Sequence, residues 1–504
     1  MKNVSLIHLV RQAGRRCPER VALRFDDRAW SYGELERVTD GVAAGLRARG
    51  VRHGDRVAFL LPNSPELVFL NLACLTIGAI AVPMNVRLKG PELAYILDHC
   101  RACLCVVDAD LYGRLEAVRP DLAHTKAFFV VGPNTPDCEP FEALIDRGQA
   151  EVALAANPDD VAAILYTSGT TARPKGVTHT HRSLVSTVEN YAEAVRLCPD
   201  DVVLGMLSMS HIFGYTLQLL SPLAVGATVL ATPTFDAAHV LTLIDRYRVT
   251  HLYGLPVMFD TLSSHAVGAS RNLASLKYCL AGGDAVSQAL TARVQDTLGV
   301  ELYEGCGMTE VIPYALNRPG IENRTGSIGQ PSVGMRLRVV DADGNDVAHG
   351  ETGEILVKSD ALTIGYWEDP EATAGALREG WLHTGDLGYR DAAGYYWFVG
   401  RRKEIIVRGG SNVSPIEVES ALARHPAVRE VGVVGAPHPS LGEIVAAFVV
   451  LKSGTVVTAQ ELLRFAAGRI ADYKIPERVT FLADLPRGLT GKVHRKTLRE
   501  WAAS

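Results

Sequence analysis

Short apolar runs alternate with longer amphipathic stretches over roughly the first 310 residues of the chain. The apolar runs have the length of buried strands, and the stretches between them have helical periodicity. Parallel strands need crossover connections, which helices usually supply, so this alternation predicts helix-covered parallel sheets. The clearest predicted strands are residues 56–61, 227–230 and 277–280, and the clearest predicted helices are residues 33–49, 65–77, 238–247 and 286–298.

The pattern changes after about residue 326. Segments such as 337–341 and 353–358 alternate with period two and are separated by Asp-Gly turns, which predicts antiparallel strands or a small β-barrel subdomain over 326–400. A further strand and helix alternation fills the last hundred or so residues, enough for a small α+β domain. We therefore predict an α/β protein with a large N-terminal domain, 1–400, and a smaller C-terminal domain, 401–504.

One uncharged segment, residues 67–84, has nearly the length of a membrane span. Gly78 and Pro83 interrupt it, and both residues end regular structure. The segment is therefore predicted to be helix 65–77 followed by a short buried strand, 79–82, with no integral membrane segment.

Composition and charge narrow the class of protein. The 504 residues carry 51 Lys and Arg against 56 Asp and Glu, a net charge of -5, which argues against a nucleic-acid surface or a polybasic anchor. The nine cysteines are odd in number and scattered, which favours a reducing, cytoplasmic setting. Cys100, Cys103 and Cys105 lead into an apolar run, so a buried strand is a better interpretation than a zinc site.

The strongest chemical signal is the segment 166–177, which follows an apolar strand-like run. Its glycines and small hydroxyl residues can direct N–H and O–H donors at phosphate oxygens, and its lysine adds a mobile positive charge. It is not a Walker loop, because Pro174 precedes the lysine and Gly176 follows it. The predicted phosphate-binding residues are Thr167, Ser168, Gly169, Thr170, Thr171 and Lys175.

Five more motifs follow this loop in order, and together they resemble the adenylate-forming superfamily over nearly the whole chain, in particular its acyl-CoA synthetases. They are Ser210-His211-Ile212-Phe213-Gly214, Gly305-Cys306-Gly307-Met308-Thr309-Glu310, Trp381-Leu382-His383-Thr384-Gly385-Asp386, Gly400-Arg401-Arg402-Lys403-Glu404 and Gly488-Leu489-Thr490-Gly491-Lys492.

The resemblance implies an ATP-dependent ligase. A carboxylate is a poor electrophile, and conversion to an acyl-AMP gives it a good leaving group, which the thiol of CoA then displaces. ATP, Mg²⁺ and CoA are the implied cofactors and co-substrates, and a small-molecule carboxylic acid is the implied partner. Acyl-AMP formation needs neutralisation of the negative charge around the α-phosphate and an in-line geometry of attack.

The resemblance also implies a role for individual residues of the ATP site. The loop Thr167 to Lys175 would hold the β- and γ-phosphates, Thr309 would contact the α-phosphate and Glu310 would bind magnesium. Asp386 would accept both ribose hydroxyls, with help from Arg401. Taken singly, Asp386 is equally compatible with a turn residue, and Arg401 with a structural salt bridge.

The remaining implied roles concern the acid, the thiol and domain movement. Lys492 would bridge the acyl carboxylate and the α-phosphate, and His211 would stand beside that carboxylate, with an ordinary packed histidine as the alternative. Lys403 matches the family's hinge, about which the C-terminal domain would rotate. Gly409, Gly410 and Ser411 match the loop beside the pantetheine channel, although a plain tight turn explains the two glycines as well.

Three residues depart from the family pattern. Ala172 replaces the usual glycine of the phosphate loop, and Cys306 replaces the aromatic residue that stacks on adenine. Tyr303 is a candidate substitute for that aromatic ring. His494 stands where an apolar residue is usual.

The segments that line the acyl pocket in this family are apolar here, with glycines that we expect to leave room for the substrate. An apolar monocarboxylate, either a fatty or an aryl acid, is the expected guest. Ile212 stands where amino-acid-activating relatives carry an Asp, and no arginine occurs in these segments, which argues against amino acids and diacids. The predicted pocket residues are Ile212, Phe213, Tyr215, Gly282, Gly305, Gly307, Val311 and Ile312, with Gly283 assigned to the ATP site.

Two other functions stay open at this point. An acyl-ACP ligase would run the same chemistry but load the phosphopantetheine of an acyl carrier protein. A catalytically silent nucleotide-binding protein is suggested only by Ala172 and Cys306. The sequence is compatible with a monomer or a homodimer.

Overall fold

The computed structural model describes residues 4–146, 148, 152–167, 174–268, 271–409, 411–467, 469–488 and 491–503. The chain divides into two compact units. Unit 1 comprises Met1–Thr325, Gly329–Arg336 and Lys358–Leu382, and unit 2 comprises Gly326–Ile328, Leu337–Val357 and His383–Ser504.

The helices are α1 Leu6–Arg16, α2 Tyr32–Ala48, α3 Pro65–Ile77, α4 Gly90–His99, α5 Gly113–Glu116, α6 His181–Val195, α7 Ser221–Val225, α8 Ala237–Tyr247, α9 Pro256–Ala266, α10 Gln288–Leu298, α11 Pro370–Ala376, α12 Pro415–Ala423, α13 Ala459–Ala467 and α14 Arg495–Ala503, with a π-helix at Phe213–Leu220.

The strands up to residue 331 are β1 Val21–Phe25, β2 Arg28–Ser31, β3 Arg56–Leu60, β4 Ile80–Pro83, β5 Leu104–Asp108, β6 Ala127–Val131, β7 Glu139–Pro140, β8 Val161–Thr167, β9 Lys175–Thr180, β10 Val202–Gly205, β11 Thr228–Ala231, β12 His251–Gly254, β13 Tyr278–Gly282, β14 Leu302–Met308, β15 Val311–Leu316 and β16 Gln330–Pro331. The later strands are β17 Arg336–Val340, β18 Gly353–Lys358, β19 Gly365–Tyr366, β20 Leu377–Arg378, β21 Trp381–Arg390, β22 Tyr396–Arg401, β23 Ile406–Arg408, β24 Ser411–Val413, β25 Val428–His438, β26 Gly442–Leu451 and β27 Arg478–Phe481.

Two large sheets form the frame of unit 1. In the first, β14, β13, β12, β10, β11 and β1 lie side by side and run parallel, while β15, β16 and β2 add antiparallel edges. In the second, β8, β4, β3, β5, β6 and β7 run parallel, and β9 pairs antiparallel with β8 and β19. The predicted helix-covered parallel sheets are confirmed.

The uncharged segment 67–84 folds into the helix and strand that Gly78 and Pro83 predict. The Ser64 hydroxyl accepts a hydrogen bond from the N–H of Leu67 at 3.2 Å, Pro65 opens α3, and Gly78 ends it with a φ of 73°. The strand β4 then begins one residue later than expected, at Ile80, and includes Pro83. Among the described residues no helix has the length and apolarity needed to cross a membrane.

The cysteine run also folds as predicted. Cys105 lies in β5, and Cys100 and Cys105 are fully buried. Burial raises the pKa of the Cys100 thiol to about 12, so the thiolate that a metal would need is disfavoured. In the described ranges, no group of three or more His, Cys, Asp or Glu side chains is arranged to hold a metal ion.

Unit 2 contains two smaller sheets. β18 lies between β17 and β21, and β21 pairs antiparallel with β22, as the period-two pattern predicts. The other sheet has the order β24, β23, β26, β25, with β27 parallel to β26. Apolar residues of α12 and α13 pack on one side of this sheet and those of α14 on the other. The predicted domain boundary at residue 400 marks where the C-terminal domain would move, and it stays a prediction.

Candidate active site

Three candidate segments of unit 1 follow strands of the nine-stranded sheet, whereas Thr167 and Lys175 belong to the eight-stranded sheet. β10, β12, β13 and β14 are parallel neighbours, so their carboxyl ends meet at the same edge. The segment containing His211 follows β10, Gly283 follows β13, and Thr309 and Glu310 follow β14. Ligands of open α/β sheets bind at this edge, so the fold brings together segments about a hundred residues apart in sequence.

The turn formed by Thr309 and Glu310 is buried and held from two sides. Both residues are 7% exposed. His179 Nε2 donates to the carbonyl of Thr309 at 2.8 Å, and the N–H of Thr363 donates to the carbonyl of Glu310 at 2.8 Å. The Tyr366 hydroxyl donates to Glu310 Oε1 at 2.6 Å. The backbone and the carboxylate are thus both fixed before any ligand arrives.

His179 holds this turn as a neutral side chain. It is 1% exposed in β9, and burial lowers the pKa of its imidazole to about 4. Its Nδ1 lies 3.2 Å from the hydroxyl of Ser183, so the ring accepts there and keeps its proton on Nε2 for the carbonyl of Thr309. A neutral ring adds no charge beside the predicted α-phosphate site.

The phosphate loop connects β8 to β9. Thr167 ends β8 and lies opposite Lys175, which begins β9. The Lys175 ammonium lies 4.9 Å from the centre of the Tyr366 ring, within range of a cation–π interaction. Ser168, Gly169, Thr170, Thr171 and Ala172 fall outside the described residues.

The predicted acyl wall begins at His211 and continues into the π-helix. His211 Nδ1 accepts from the N–H of Phe213 at 3.3 Å, which leaves Nε2 as the ring nitrogen that can donate. Ile212 and Phe213 are buried, and so are Val311 and Ile312 at the start of β15. π-helical turns are rare and occur mainly at functional sites.

The glycines of this wall do not leave open space, contrary to expectation. A Cβ atom on Gly282 would lie 3.0 Å from the Phe213 ring, one on Gly305 would lie 2.7 Å from Leu316, and one on Gly307 would lie 2.6 Å from Ile312. The space beside each glycine is therefore filled by the chain's own side chains. The glycines allow close packing of the wall, and any acyl cavity must be bounded by the side chains that fill these gaps.

Tyr215 lies deeper than the residues before it. It is fully buried, and its hydroxyl donates to Asn71 Oδ1 at 2.7 Å. Burial raises the pKa of this phenol well above its usual value, so it stays protonated and can donate. This hydrogen bond ties the π-helix to α3 and places Tyr215 in the core behind the wall.

Tyr303 does not supply the aromatic ring that is missing at Cys306, the predicted adenine position. Side chains alternate along β14, so residues 303 and 306 face opposite sides of the sheet. Tyr303 packs against Tyr278 with ring centres 4.8 Å apart, and its hydroxyl donates to Glu301. The Cys306 sulfur instead lies 2.9 Å from the hydroxyl of Tyr314.

Unit 2 contains the predicted ribose pair. Asp386 in β21 lies opposite Arg401 in β22, and the Arg401 Nε is 3.0 Å from Asp386 Oδ1. The Asp386 side chain is 1% exposed, whereas that of Arg401 is 43% exposed. The N–H of Asp386 donates to the hydroxyl of Thr384 at 3.0 Å, which fixes the start of the carboxylate-bearing segment. The structure thus brings these two sequence-predicted residues together.

Lys403 lies in the turn after this pair, between two anchored neighbours. Arg402 donates to Glu354 of β18 at 3.1 Å, while Glu404 pairs with Arg495 of α14 at 3.3 Å. Arg499, also on α14, donates to the carbonyl of Lys403 at 3.2 Å. Attachments on either side of Lys403 therefore lead to different layers of unit 2, which is the arrangement a hinge needs.

Lys492 and the glycine pair also lie in unit 2. The N–H of Gly488 donates to the carbonyl of Lys492 at 2.8 Å, which closes the loop that carries this partly exposed lysine. Gly409 has a φ of 55° and begins the two-residue connection between β23 and β24, which ends before Ser411. A positive φ at Gly409 favours glycine whatever the segment binds. Gly410 lies outside the part of the chain that is described.

Sequence reasoning missed the support residues Tyr366, His179 and Thr363. Tyr366 and Thr363 stand in the region predicted only as a β-rich subdomain, more than fifty residues from Glu310. No spacing rule links such positions. The available signal was a histidine, His179, near the end of the short polar segment that begins at Lys175 and forms β9.

Comparison with known proteins agrees with this geometry. The sequence pattern of the AMP-binding enzyme family matches residues 9–367, and that of the AMP-binding enzyme C-terminal domain matches residues 417–492. The chain is 36% identical over 490 residues to an indoleacetate–CoA ligase of Aromatoleum aromaticum, with 96% of each chain covered. It is 31% identical to a long-chain-fatty-acid–CoA ligase of Bacillus subtilis, covering 99% of this chain and 95% of the other.

A solved structure agrees equally well. The anthranilate CoA ligase AuaEII, in complex with anthranoyl-AMP, superposes with a TM-score of 0.92 at 31% identity and covers 100% of this chain and 98% of its own. The fold and the site therefore define an adenylate-forming enzyme, and the chain belongs to the AMP-binding enzyme family. Within that family it is an acid:CoA ligase, which uses ATP to convert a carboxylic acid to an acyl-AMP and then forms the CoA thioester.

Proposed function

We propose that this ligase acts on a compact apolar monocarboxylic acid, in particular an aryl or arylalkanoic acid. The observation that carries the proposal is the filled acyl wall, where Phe213, Leu316 and Ile312 occupy the space beside the three glycines. Phe213 also stacks parallel to Tyr253, with ring centres 6.5 Å apart. A wall whose gaps are filled, with the Phe213 ring among the filling side chains, favours a compact flat guest over a long alkyl chain.

The relatives support an aryl acid without deciding which one. Indoleacetate and anthranilate are both small aromatic acids by the names of the proteins that use them, and the indoleacetate–CoA ligase, at 36% identity, is more similar to this chain than the Bacillus subtilis long-chain-fatty-acid–CoA ligase, at 31%. Aryl acids and long-chain fatty acids need pockets of different depth, because the carboxylate of either acid must reach the same place beside the α-phosphate.

The described residues divide the adenylation step among them. A carboxylate oxygen of the acid attacks the α-phosphorus of ATP, the P–O bond to pyrophosphate breaks, and pyrophosphate leaves. Lys175 stabilises the leaving phosphates, Thr309 holds the α-phosphate, and Asp386 with Arg401 holds the ribose. Lys492 would bridge the carboxylate and the α-phosphate, which neutralises the charge that gathers there. His211, donating from Nε2, would orient the acyl carboxylate.

Glu310 fits a magnesium ion. Its carboxylate offers hard oxygen donors in a buried, polar position, and one of those oxygens is already oriented by Tyr366 at 2.6 Å. Mg²⁺ usually binds through one or two carboxylates together with substrate phosphates. When bound, it would neutralise the phosphate charge that opposes attack by a second anion.

Thioester formation would follow rotation about Lys403. The thiol of CoA attacks the acyl carbon, the bond from that carbon to the AMP oxygen breaks, and AMP leaves with the oxygen. The turn that includes Gly409 and Ser411 would then stand beside the pantetheine arm, where a residue without a side chain allows close approach. We take CoA as the acceptor and an acyl carrier protein as the alternative.

A panel of acids tests the proposal. The purified enzyme is supplied with ATP, Mg²⁺ and CoA together with indole-3-acetate, anthranilate, ferulate, octanoate or palmitate, and AMP release is measured. We expect the aryl acids to give a kcat/KM at least about tenfold above that of palmitate, and Lys492→Ala to lose AMP release with all of them. A preference for palmitate would overturn the assignment of the acid.

The same panel distinguishes the two acceptors. With the best acid, AMP release is compared between free CoA and a holo acyl carrier protein at equal thiol concentration. Higher kcat/KM with CoA is expected. ATP binding without acid-dependent pyrophosphate release for any acid would instead indicate a catalytically silent nucleotide-binding protein.

A further inference from the structure

Tyr366 contacts both charged groups that the ATP chemistry needs in unit 1. Its hydroxyl donates to Glu310 Oε1 at 2.6 Å, and its ring faces the Lys175 ammonium at 4.9 Å. The lysine follows the phosphate loop, and the glutamate follows β14, 135 positions along the sequence. A single side chain thus links the two ends of the predicted triphosphate site.

The backbone around Tyr366 is held firmly enough to fix the ring. Tyr366 lies opposite Val177 in the β9–β19 pair, and the next residue, Trp367, donates its N–H to the carbonyl of Gly176 at 2.7 Å. The N–H of Tyr366 itself donates to the hydroxyl of Thr373 at 2.9 Å. Anchored on both sides, the ring has little freedom to leave the lysine or the carboxylate.

Gly365 makes this anchoring possible. Its φ is 133°, and a Cβ atom there would lie 2.4 Å from Thr373 Cγ2. Only glycine lets the chain pass this close to α11 while β19 pairs with β9. The local sequence is therefore built around the position of the tyrosine that follows.

The two contacts have a common electrostatic effect. An ammonium and a carboxylate this close to one neighbour would gain by pairing directly, and each would then be less available to a phosphate or a cation. The phenol binds the carboxylate through a neutral O–H and attracts the ammonium through its π face. One side chain thus contacts both groups.

We infer that Tyr366 is a positioning residue, which orients Glu310 toward the metal of Mg·ATP and keeps Lys175 directed at the phosphates. The inference rests on the proposed roles of Glu310 and Lys175. It concerns nucleotide and metal binding and not the identity of the acid, so it can be tested without any acid present.

The test measures binding of Mn·ATP in the absence of acid and CoA, with Mn²⁺ as the paramagnetic probe. Electron paramagnetic resonance follows the loss of the Mn·ATP signal on titration with wild-type enzyme, Tyr366→Phe and Tyr366→Leu. Tyr112→Phe is the matched control, because it removes a buried hydroxyl that accepts from Arg119 at 3.0 Å elsewhere in unit 1. Thermal unfolding confirms that every variant is folded.

We expect Tyr366→Phe to raise the dissociation constant of Mn·ATP about tenfold, since one hydrogen bond to a charged group is lost. Tyr366→Leu should be weaker still, because the ring beneath Lys175 is lost as well. Tyr112→Phe should bind as the wild type does. Tyr366→Phe with wild-type affinity for Mn·ATP would overturn the inference.

A double-mutant cycle adds a readout that general loosening of the fold would not move. If Tyr366 acts through Glu310, Tyr366→Phe should have almost no further effect in a Glu310→Gln background. Full additivity of the two changes would also overturn the inference. If the wild type and variants follow this pattern but no acid supports AMP release, the positioning role stands and the proposed function fails.

Discussion

Replacing Asp386 by asparagine tests the ribose site while keeping the shape of the side chain. The carboxylate is 1% exposed and faces Arg401 Nε at 3.0 Å, but the guanidinium is 43% exposed and can be hydrated when the carboxylate is lost. A pair screened in this way contributes about 0–1 kcal/mol to folding. We therefore expect Asp386→Asn to unfold within a few degrees of the wild type.

The effect on ATP should be much larger than the effect on stability. A carboxylate can accept from both ribose hydroxyls, whereas the asparagine amide has one acceptor oxygen and presents an NH₂ group to the other hydroxyl. One charge-assisted hydrogen bond is lost and the other is weakened, at about 1.5–3 kcal/mol for a bond to a charged group. A loss of about 2–3 kcal/mol corresponds to about 30- to 150-fold in the dissociation constant of ATP.

Calorimetric titration with ATP measures this directly, and the KM for ATP in acid-dependent pyrophosphate release provides a second value. Asp343→Asn is the matched control, since Asp343 lies in an exposed turn of the same unit. The KM values for the acid and for CoA should stay near those of the wild type. An Asp386→Asn variant that keeps its ATP affinity within about threefold would refute the ribose assignment, and the Asp386–Arg401 pair would then be structural.

Three further changes test other parts of the account. Lys492→Ala should slow acyl-AMP formation at least about 100-fold yet still convert supplied acyl-AMP to the thioester, and equal loss of both half-reactions in rapid-quench assays would contradict a role confined to adenylation. Gly307→Ala should lower stability by about 1–3 kcal/mol in urea unfolding, because the new methyl group would lie 2.6 Å from Ile312, and an unchanged urea midpoint would show that the wall can yield. Burial lowers the pKa values of His179 and His251 to about 4, so the unfolded chain takes up protons below about pH 6.5 before the folded one does. These two rings therefore leave the unfolding free energy unchanged near pH 7 and lower it from pH 6.5 toward pH 4. A urea midpoint that does not fall between pH 7 and pH 5 would count against these buried neutral rings.

Local patterns predicted the frame of the fold because they reflect local causes. α3 begins and ends where a capping serine, an N-terminal proline and a left-handed glycine place its limits. The alternation of buried strands and amphipathic helices predicted the parallel sheets, since helices connect successive parallel strands such as β3 and β4, β12 and β13, and β13 and β14. The antiparallel edges formed by β9 and β19 were not predicted, because β19 has only two residues, and its pairs with β9 span 187 and 189 positions of sequence.

The sequence predicted charged candidates for the site but not the residues that support them. The residue types of segment 166–177, which contains Lys175, indicate phosphate binding by themselves, whereas the metal role of Glu310 and the ribose role of Asp386 come from the resemblance to the adenylate-forming superfamily and stay predictions. Tyr366 and His179 reach the turn of Thr309 and Glu310 only through tertiary packing, and the neighbouring sequence does not mark Tyr366. The expectation that the wall glycines leave room is wrong for a similar reason. The sequence shows where the glycines are, whereas the fold brings up the side chains that fill the space beside them, Phe213 from the π-helix and Ile312 and Leu316 from β15.

Isotope transfer from the acid to AMP tests the central claim most directly. An aryl acid with both carboxylate oxygens replaced by ¹⁸O is turned over with ATP, Mg²⁺ and CoA, and the AMP is analysed by mass spectrometry. A carboxylate oxygen that attacks the α-phosphorus stays on AMP when the thiol displaces it. The account predicts one ¹⁸O atom in each AMP and one in each thioester. Unlabelled AMP, or label in the pyrophosphate, would contradict an acyl-adenylate ligase.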